Sequence, residues 1–263
     1  MIKLHPDNHE RSGKDDWSKH WRTYADVASK NPAQEMRHDI VLKNLFKLPE
    51  KPVLLLDIGS GQGDFLRKAV ECNIAQKCVG FELSESGVGI SRNKVPQAEF
   101  IQVDLFSPPE AVLKFVGQAD VAVCSDVIEH VDEPEKFCRL LKAYLKPGAY
   151  LILTVPGGPM SEFDYHIGHR THYNVGSIIQ LLRAAGFNVE KIQLAGFPFF
   201  NLYRMMVILR GKRLITDVEI HKKSFVSGVI SRMVMLIFRA LFRLNFDNSR
   251  FGWQVVAVAR RPI

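Results

Sequence analysis

Cysteine is scarce in this chain: four in 263 residues, Cys72, Cys78, Cys124 and Cys138, none of them spaced as a metal-binding pair. That excludes a disulfide framework as the organising device and fits a reducing compartment. Cys124 lies inside an apolar strand pattern, where a small buried thiol is the ordinary outcome. The first residues, Met1-Ile-Lys-Leu-His-Pro-Asp7, lack the apolar core of a secretory signal, so a cytoplasmic location is expected, with peripheral membrane association left open. Internal repeats and low-complexity runs are absent too. A hydrophobic content of 46% and a charged content of 24% are ordinary for a globular α/β chain of one large domain with additions.

An excess of either charge is missing from most of the chain. The net charge of +7 suggests nucleic acid until it is divided. Residues 204–263 hold 12 Lys+Arg and 3 Asp+Glu, a balance of +9. The rest of the chain holds 23 basic and 25 acidic side chains, a balance of −2. The main body is therefore not a basic surface, and the excess belongs to the C-terminal segment.

What is present is a strand, a glycine loop and a helix start. Val53-Leu-Leu-Leu-Asp57-Ile-Gly59-Ser60-Gly61-Gln-Gly63-Asp64 runs four apolar residues into a carboxylate, then alternates glycine before a helix opens. Glycines there let the backbone turn sharply and lie against a ligand. The next strand, Lys77 to Glu82, closes on an acid one helix and one strand beyond Gly63. A carboxylate at that place accepts from both hydroxyls of a ribose. The third strand, Glu99 to Asp104, ends on an acid suited to the amino group of an adenine, and Leu83 and Leu105 offer apolar surface to the base. The fourth, Asp120 to Asp126, runs through Ser125 into Val127-Ile-Glu129-His130. Asp57, Glu82, Asp104 and Asp126 are expected to converge on one crevice at the carboxyl edge of a parallel sheet. Four acids repel a pyrophosphate and suit a ligand with positive charge and sugar hydroxyls, which favours S-adenosylmethionine over a dinucleotide. The rival, a short-chain dehydrogenase, usually has a Tyr followed four residues later by Lys, and none of the six tyrosines is so placed.

Asp57-x-Gly59-x-Gly61-x-Gly63, Glu82, Asp104, Ser125-Asp126-Val-Ile-Glu129-His130 and Leu145-Lys-Pro147-Gly148-Ala-Tyr-Leu-Ile together resemble the class I S-adenosylmethionine-dependent methyltransferases, over about residues 50–195. The resemblance implies a Rossmann-like, seven-stranded, mostly parallel sheet. It also implies that Gly59, Gly61 and Gly63 hold the methionine part, Glu82 the ribose and Asp104 the adenine, with Asp57, Ser60, Leu83, Leu105, Ser125 and His130 lining the same pocket. In that family Glu-His after the fourth strand lines the cofactor pocket as often as it acts chemically.

Around this core the chain divides into cap helices (1–48), a cofactor domain (49–195), a helical insertion (196–250) and a final strand (251–263). Residues 15–48 read as helical, with Trp17, Trp21 and Tyr24 on one face. A break at Asn31-Pro32 starts a second helix through about Phe46, with Met36, Ile40, Leu42 and Leu45 as its apolar side. Such helices either lie over cofactor and substrate or pack their aromatic face on the sheet. Strands and helices alternate from 53 to 155. Pro108-Pro109 opens one helix and Glu133-Pro134-Glu135 another. The fifth strand is Ala149–Val155, a helix spans about Val175 to Ala185 before Gly186, the sixth strand is Phe187–Leu194, and the last is Trp253–Ala259, antiparallel to its neighbours. In the common form the last two strands make a short hairpin; here the whole stretch from Gly196 to Gly252 intervenes.

After the fifth strand, Phe163 to Tyr173 holds three of the nine histidines. Methyl transfer needs no protein nucleophile; it needs a placed acceptor and often one proton removed. His169 and His166 are candidate bases, with Tyr173 or Arg170 orienting the acceptor; the competing reading is that His169 braces the loop. The spacing of His166, His169 and His172 allows a metal, but no local carboxylate pattern supports one, and none is expected.

In Val229–Phe246, Arg232, Arg239 and Arg243 fall within roughly 20° of one line on an otherwise apolar helix. Three central arginines argue against a spanning helix. The helix packs on its own domain or across a homodimer, or it lies in a membrane interface; nucleic acid is not expected, because aromatic residues are not interleaved with the basic ones. These features and the resemblance lead us to expect an S-adenosylmethionine-dependent methyltransferase acting on a small-molecule acceptor through an oxygen, with a lipid-like or lipid-linked glycan acceptor suggested by the apolar insertion. The alternative is a non-catalytic adaptor that keeps the fold and docks at a membrane or partner.

Overall fold

The computed structural model describes Trp17, Ser18, Trp21, residues 29–219 and residues 225–263, with the side chains of 212–219 and 225–231 excepted. Tyr24 and most of the expected first helix lie outside the described residues, although Trp17, Ser18 and Trp21 are helical. Seven strands, β1 (Leu54–Ile58), β2 (Lys77–Glu82), β3 (Glu99–Gln102), β4 (Ala119–Ser125), β5 (Leu145–Pro156), β6 (Asn188–Ala195) and β7 (Gln254–Arg260), form one sheet. Its order is β3-β2-β1-β4-β5-β7-β6. The first five are parallel, and β7 runs antiparallel between β5 and β6. This is the Rossmann-like arrangement expected of the sequence, final antiparallel strand included.

β1 forms because five residues bury completely between β2 and β4. Alternate side chains feed opposite faces of the sheet. Leu54 and Leu56 join the core made with α4 (Pro134–Tyr144) and α6 (Val175–Ala184). Leu55 joins the other, made with α1 (Pro32–Leu45), α2 (Asp64–Glu71) and α3 (Glu85–Lys94). Met36, Ile40, Leu42 and Leu45, the expected apolar side of α1, are all buried there. Asn31 caps α1, its side chain accepting from the amide of Ala33, with Pro32 at the first helical position.

Some boundaries differ from those the sequence pattern predicts. β3 stops at Gln102, so Asp104 lies past the strand, in a turn where its Oδ1 accepts the amide of Phe106 at 2.9 Å. Pro108-Pro109 leads into a 3-10 helix, Glu110–Phe115. α5 (Glu162–His166) is a short helix within the expected histidine loop, started by a capping box between Ser161 and Asp164.

The insertion folds as α7 (Phe199–Glu219, interrupted at Gly211, φ 41°) and α8 (Phe225–Phe242). They pack side by side through Phe200 on Phe242 and Tyr203 on Phe238 and Phe242, with ring centroids 5.2–6.0 Å apart. α8 ends at Phe242, not at Phe246 as the apolar pattern predicts. The residues after it are used otherwise: Asn245 accepts the amides of Phe199 and Phe200 at the start of α7, and Phe246 bridges Phe197. The expected stripe of three arginines is broken accordingly. Arg239 pairs with Glu35 of α1 at 2.7 Å, Arg243 lies beyond the helix, and Arg232 is exposed. No described helix is long and apolar enough to cross a membrane.

Candidate active site

The glycine loop follows β1 and is stitched to β2: the amides of Gly59 and Ser60 both donate to the carbonyl of Phe81. Gly59, Gly61 and Gly63 have φ of 76°, 53° and 82°, a region closed to most side chains. At Gly61 space also matters, since a Cβ there would sit 2.7 Å from the Trp21 ring. Ser60 is buried, with its hydroxyl against Gly80 in the floor of the loop, so its side chain does not face the crevice.

Glu82 ends β2 with its carboxylate against this loop. One oxygen accepts the Gly61 amide at 2.7 Å, the other the Ser84 amide at 2.9 Å, and the Trp21 indole is directed at the same group. Burial raises its pKa, and those three donors hold the rise back. Asp57, beside it on β1, has its pKa raised to about 8 by burial and by the Glu82 charge. Two carboxylates so placed are unfavourable alone and become favourable when a cation settles between them. Leu83 is 46% exposed and free to lie against a base; Asp104 is half-buried at the same edge. Leu105 turns the other way, into the core beside Val103 and Val112, so the expectation that it contacts the base is corrected.

Asp126 is also corrected. It lies half-buried just past β4, where partners from distant segments claim it. Its carboxylate takes Arg37 of α1 at 2.6 Å, Thr154 of β5 at 3.0 Å and Gln254 of β7 at 3.1 Å, and it ties those elements together. Ser125 bonds Thr154 through the hydroxyls at 2.8 Å.

Trp17 and the segments after β4 and β5 bring four rings into a row. Trp17 meets His130 edge-on at 4.7 Å, His130 meets His169 at 4.6 Å, and His169 meets His172 at 5.3 Å. Trp17 thus contacts the histidine row and Trp21 the glycine loop. The second ring nitrogen of His172 bonds the Gly158 carbonyl, and His169 Nδ1 lies 3.1 Å from His172 Nε2. Burial and the neighbouring His130 lower the His169 pKa to about 3. A ring lowered this far and already hydrogen-bonded to its neighbour takes a proton less readily, which favours bracing over proton transfer for His169. Tyr173 is in the core, its hydroxyl directed at the Ile128 carbonyl and its pKa raised by burial; it does not reach an acceptor. Arg170 pairs with Asp132 at 3.0 Å. His166 is the exposed histidine of the three.

Two groups of side chains bring donor atoms within 4.8 Å of one another, Glu129–His130–His169 and Asp164–His169–His172. In the second, Asp164 is wholly buried and already neutralised by Arg204 of α7 at 2.8 and 3.0 Å. In the first, burial and the nearby Asp126 raise the Glu129 pKa well above its usual range. Arg204, Asp164, Arg37 and the role of Trp21 escaped the sequence reading. Ser161-x-x-Asp164 was legible as a capping signal, but nothing local ties Asp164 to an arginine on the far side of β6.

The residues fit an adenosyl sulfonium: a loop with glycine at alternate positions, a buried acid held ready by two amides, and a second acid whose ionisation a positive charge would favour. Because Trp21 lies on the loop and against Glu82, titration with S-adenosylmethionine should change the intrinsic fluorescence. The Trp21→Phe protein should lose most of that change, and an undiminished signal would remove Trp21 from the site.

A family profile described as a methyltransferase domain matches residues 30–192, more than half of the chain. The mitochondrial ubiquinone biosynthesis O-methyltransferase of Saccharomyces cerevisiae is 26% identical over 117 residues, covering 44% of this chain and 36% of that protein. The chain spans less than half the length of such curated relatives. Among solved structures, a Haloferax volcanii methyltransferase in complex with a methyltransferase activator superposes with a TM-score of 0.62 at 18% identity, covering 95% of this chain and 99% of that one. Phosphoethanolamine N-methyltransferase 2 of Haemonchus contortus, solved with S-adenosylhomocysteine, has a TM-score of 0.62 at 19% identity, covering 96% and 60%. At these identities the likeness is one of fold.

Proposed function

The chain belongs to the methyltransferase-domain family, and on that premise we propose that it transfers a methyl group from S-adenosylmethionine to an oxygen of a small-molecule acceptor. The observation that carries the reading is the Glu82 carboxylate, buried and oriented by the Gly61 and Ser84 amides at the rim of a positive-φ glycine loop. S-adenosylmethionine, when bound, supplies a methyl group activated by a sulfonium. Glu82 would hold the ribose hydroxyls, Asp104 and Leu83 the adenine, and Asp57 with Gly59, Gly61 and Gly63 the charged methionine end. No protein nucleophile is required, so the chain's task is placement and exclusion of water. The row Trp17–His130–His169–His172 would make an aromatic wall for the acceptor, and His166, the exposed histidine of the loop, would take its proton.

Oxygen is favoured over nitrogen by the similarity to ubiquinone biosynthesis O-methyltransferases. The apolar insertion beside the histidine loop favours a lipid-like or lipid-linked acceptor. Calorimetric titration with S-adenosylmethionine tests the first step, and transfer of labelled methyl groups into lipid extracts tests the second. Folded protein that takes up no cofactor would overturn the proposal. Given an acceptor, His166→Ala should lower kcat by about a hundredfold at neutral pH. His169→Ala should act on thermal stability more than on the pH profile of kcat; the reverse pattern would reassign the base.

A further inference from the structure

We infer that the α7–α8 hairpin seats this protein on an anionic lipid surface. The inference deepens the proposal of a lipid-like acceptor and rests on that reading for its purpose, not for its evidence.

α7 exposes Leu202, Met205, Met206 and Leu209, positions three, four and seven apart, with Leu209 80% exposed. α8 exposes Met233, Leu236 and Ile237 at the same spacing. That spacing puts each set on one side of its helix. The core-facing sides are different residues, Phe200 and Tyr203 on α7 and Phe238 and Phe242 on α8. Each helix is therefore apolar twice over, and among the described residues the second stripe has no protein covering it. A surface helix ordinarily turns polar residues outward, and a contiguous apolar stripe marks an interaction surface.

The charge beside these stripes identifies what covers them. Arg210 adjoins Leu209, Arg232 adjoins Met233, and Arg243 adjoins Leu244, all exposed. They belong to the segment 204–263 with its balance of +9, on a chain whose remainder is −2. A second copy of the chain, docked about a twofold axis on this face, would bring two such segments together, and like charge opposes that contact. An anionic bilayer accepts both features at once, apolar side chains below the headgroups and arginines among them. The helices lie in the interface, since none of those described can span it.

The surface is also mechanically joined to the crevice. Arg204 sits on α7 between Leu202 and Met205 and forms the ion pair with Asp164, which caps α5 and lies 3.9 Å from both His169 and His172. A hairpin embedded in lipid thus holds the acceptor loop at the membrane boundary, where a lipid-like acceptor enters without crossing water.

Full-length protein is sedimented with vesicles of phosphatidylcholine alone and with about 30 mol% phosphatidylglycerol, at low salt and at about 0.5 M NaCl. Binding to the anionic vesicles is expected to be at least tenfold tighter, and to weaken with salt. Leu209→Glu/Leu236→Glu should abolish it while leaving the melting temperature and S-adenosylmethionine affinity unchanged, because both side chains are exposed and outside the crevice. Arg232→Glu/Arg243→Glu should remove the preference for anionic lipid. Binding that ignores lipid charge, or that survives the leucine substitutions, overturns the inference. So does a parent protein that is dimeric by analytical ultracentrifugation and is made monomeric by Leu209→Glu/Leu236→Glu, which would place a second copy on this face. The assay contains neither methyl donor nor acceptor, so its failure leaves the methyl-transfer reading standing, and loss of cofactor binding leaves this one standing.

Discussion

Asp57→Asn protein should melt several degrees above the parent and bind S-adenosylmethionine at least tenfold more weakly. The two effects share a cause. Burial, with the Glu82 charge beside it, raises the Asp57 pKa from an ordinary carboxylate value to about 8. The folded chain therefore binds a proton there that the unfolded chain releases near pH 4. Between those values the unfolded state holds fewer protons, so this group's contribution to stability falls as pH rises from about 4 to about 8. Asparagine removes that dependence. Its advantage should vanish near pH 4 and reach about 1–3 kcal/mol at neutral pH, or a rise of about 3–8 °C for a chain of this length. The missing charge is the one a cationic ligand needs, and a charge-assisted contact is worth roughly 1.5–3 kcal/mol. In the parent, affinity should accordingly rise with pH toward 8. Melting curves and titrations from pH 4 to 8.5 check both; an asparagine variant that is less stable, or that binds normally, would reject this account of the site.

Arg204→Met should be the most damaging single substitution outside the main core. Asp164 is fully buried, and Arg204, only 13% exposed in its side chain, contacts both of its oxygens. Burial alone would raise the Asp164 pKa, but the Arg204 and Ser161 contacts outweigh it and leave it lowered. Removing the arginine strands a buried carboxylate, a loss of about 3 kcal/mol in urea unfolding. The Arg204→Met/Asp164→Asn double variant should regain most of it, since the charge and its partner leave together. A folded-state pKa below the unfolded one gives stability that is present above about pH 4 and lost as pH falls further, so the gap between parent and Arg204→Met should close in acid. A gap that persists at low pH, or a double variant no better than the single, would mean that Arg204 acts through packing. Because the pair joins α7 to the histidine loop, kcat on a lipid-like acceptor should fall with it.

The succession of strands and helices, the glycine loop and the acid closing β2 at Glu82 were legible because each is a local pattern: apolar runs ending on a carboxylate, glycine at alternate positions, a helix opening next. Periods of two and of about 3.6 survive in a sequence whatever packs against them. α1 and its four buried apolar residues followed from the same signal. Leu105, Tyr173 and Asp126 were misplaced for the opposite reason. Nothing local says on which side of a turn a leucine points, whether a tyrosine between two loops enters the core, or that an acid at a strand end is claimed by Arg37 and Gln254 from distant segments.

Chemical identity along the chain was therefore enough to set the fold and the cofactor class, since both depend on residues within one strand–loop–helix unit and its neighbours. The state of the site was decided only when the chain closed on itself. Burial lowered the His169 pKa, two amides aimed Glu82, and an arginine from the inserted hairpin neutralised Asp164. Protonation and hydrogen-bond geometry depend on which groups share a low-dielectric space, and proximity of that kind is created by tertiary packing, not by order in the sequence.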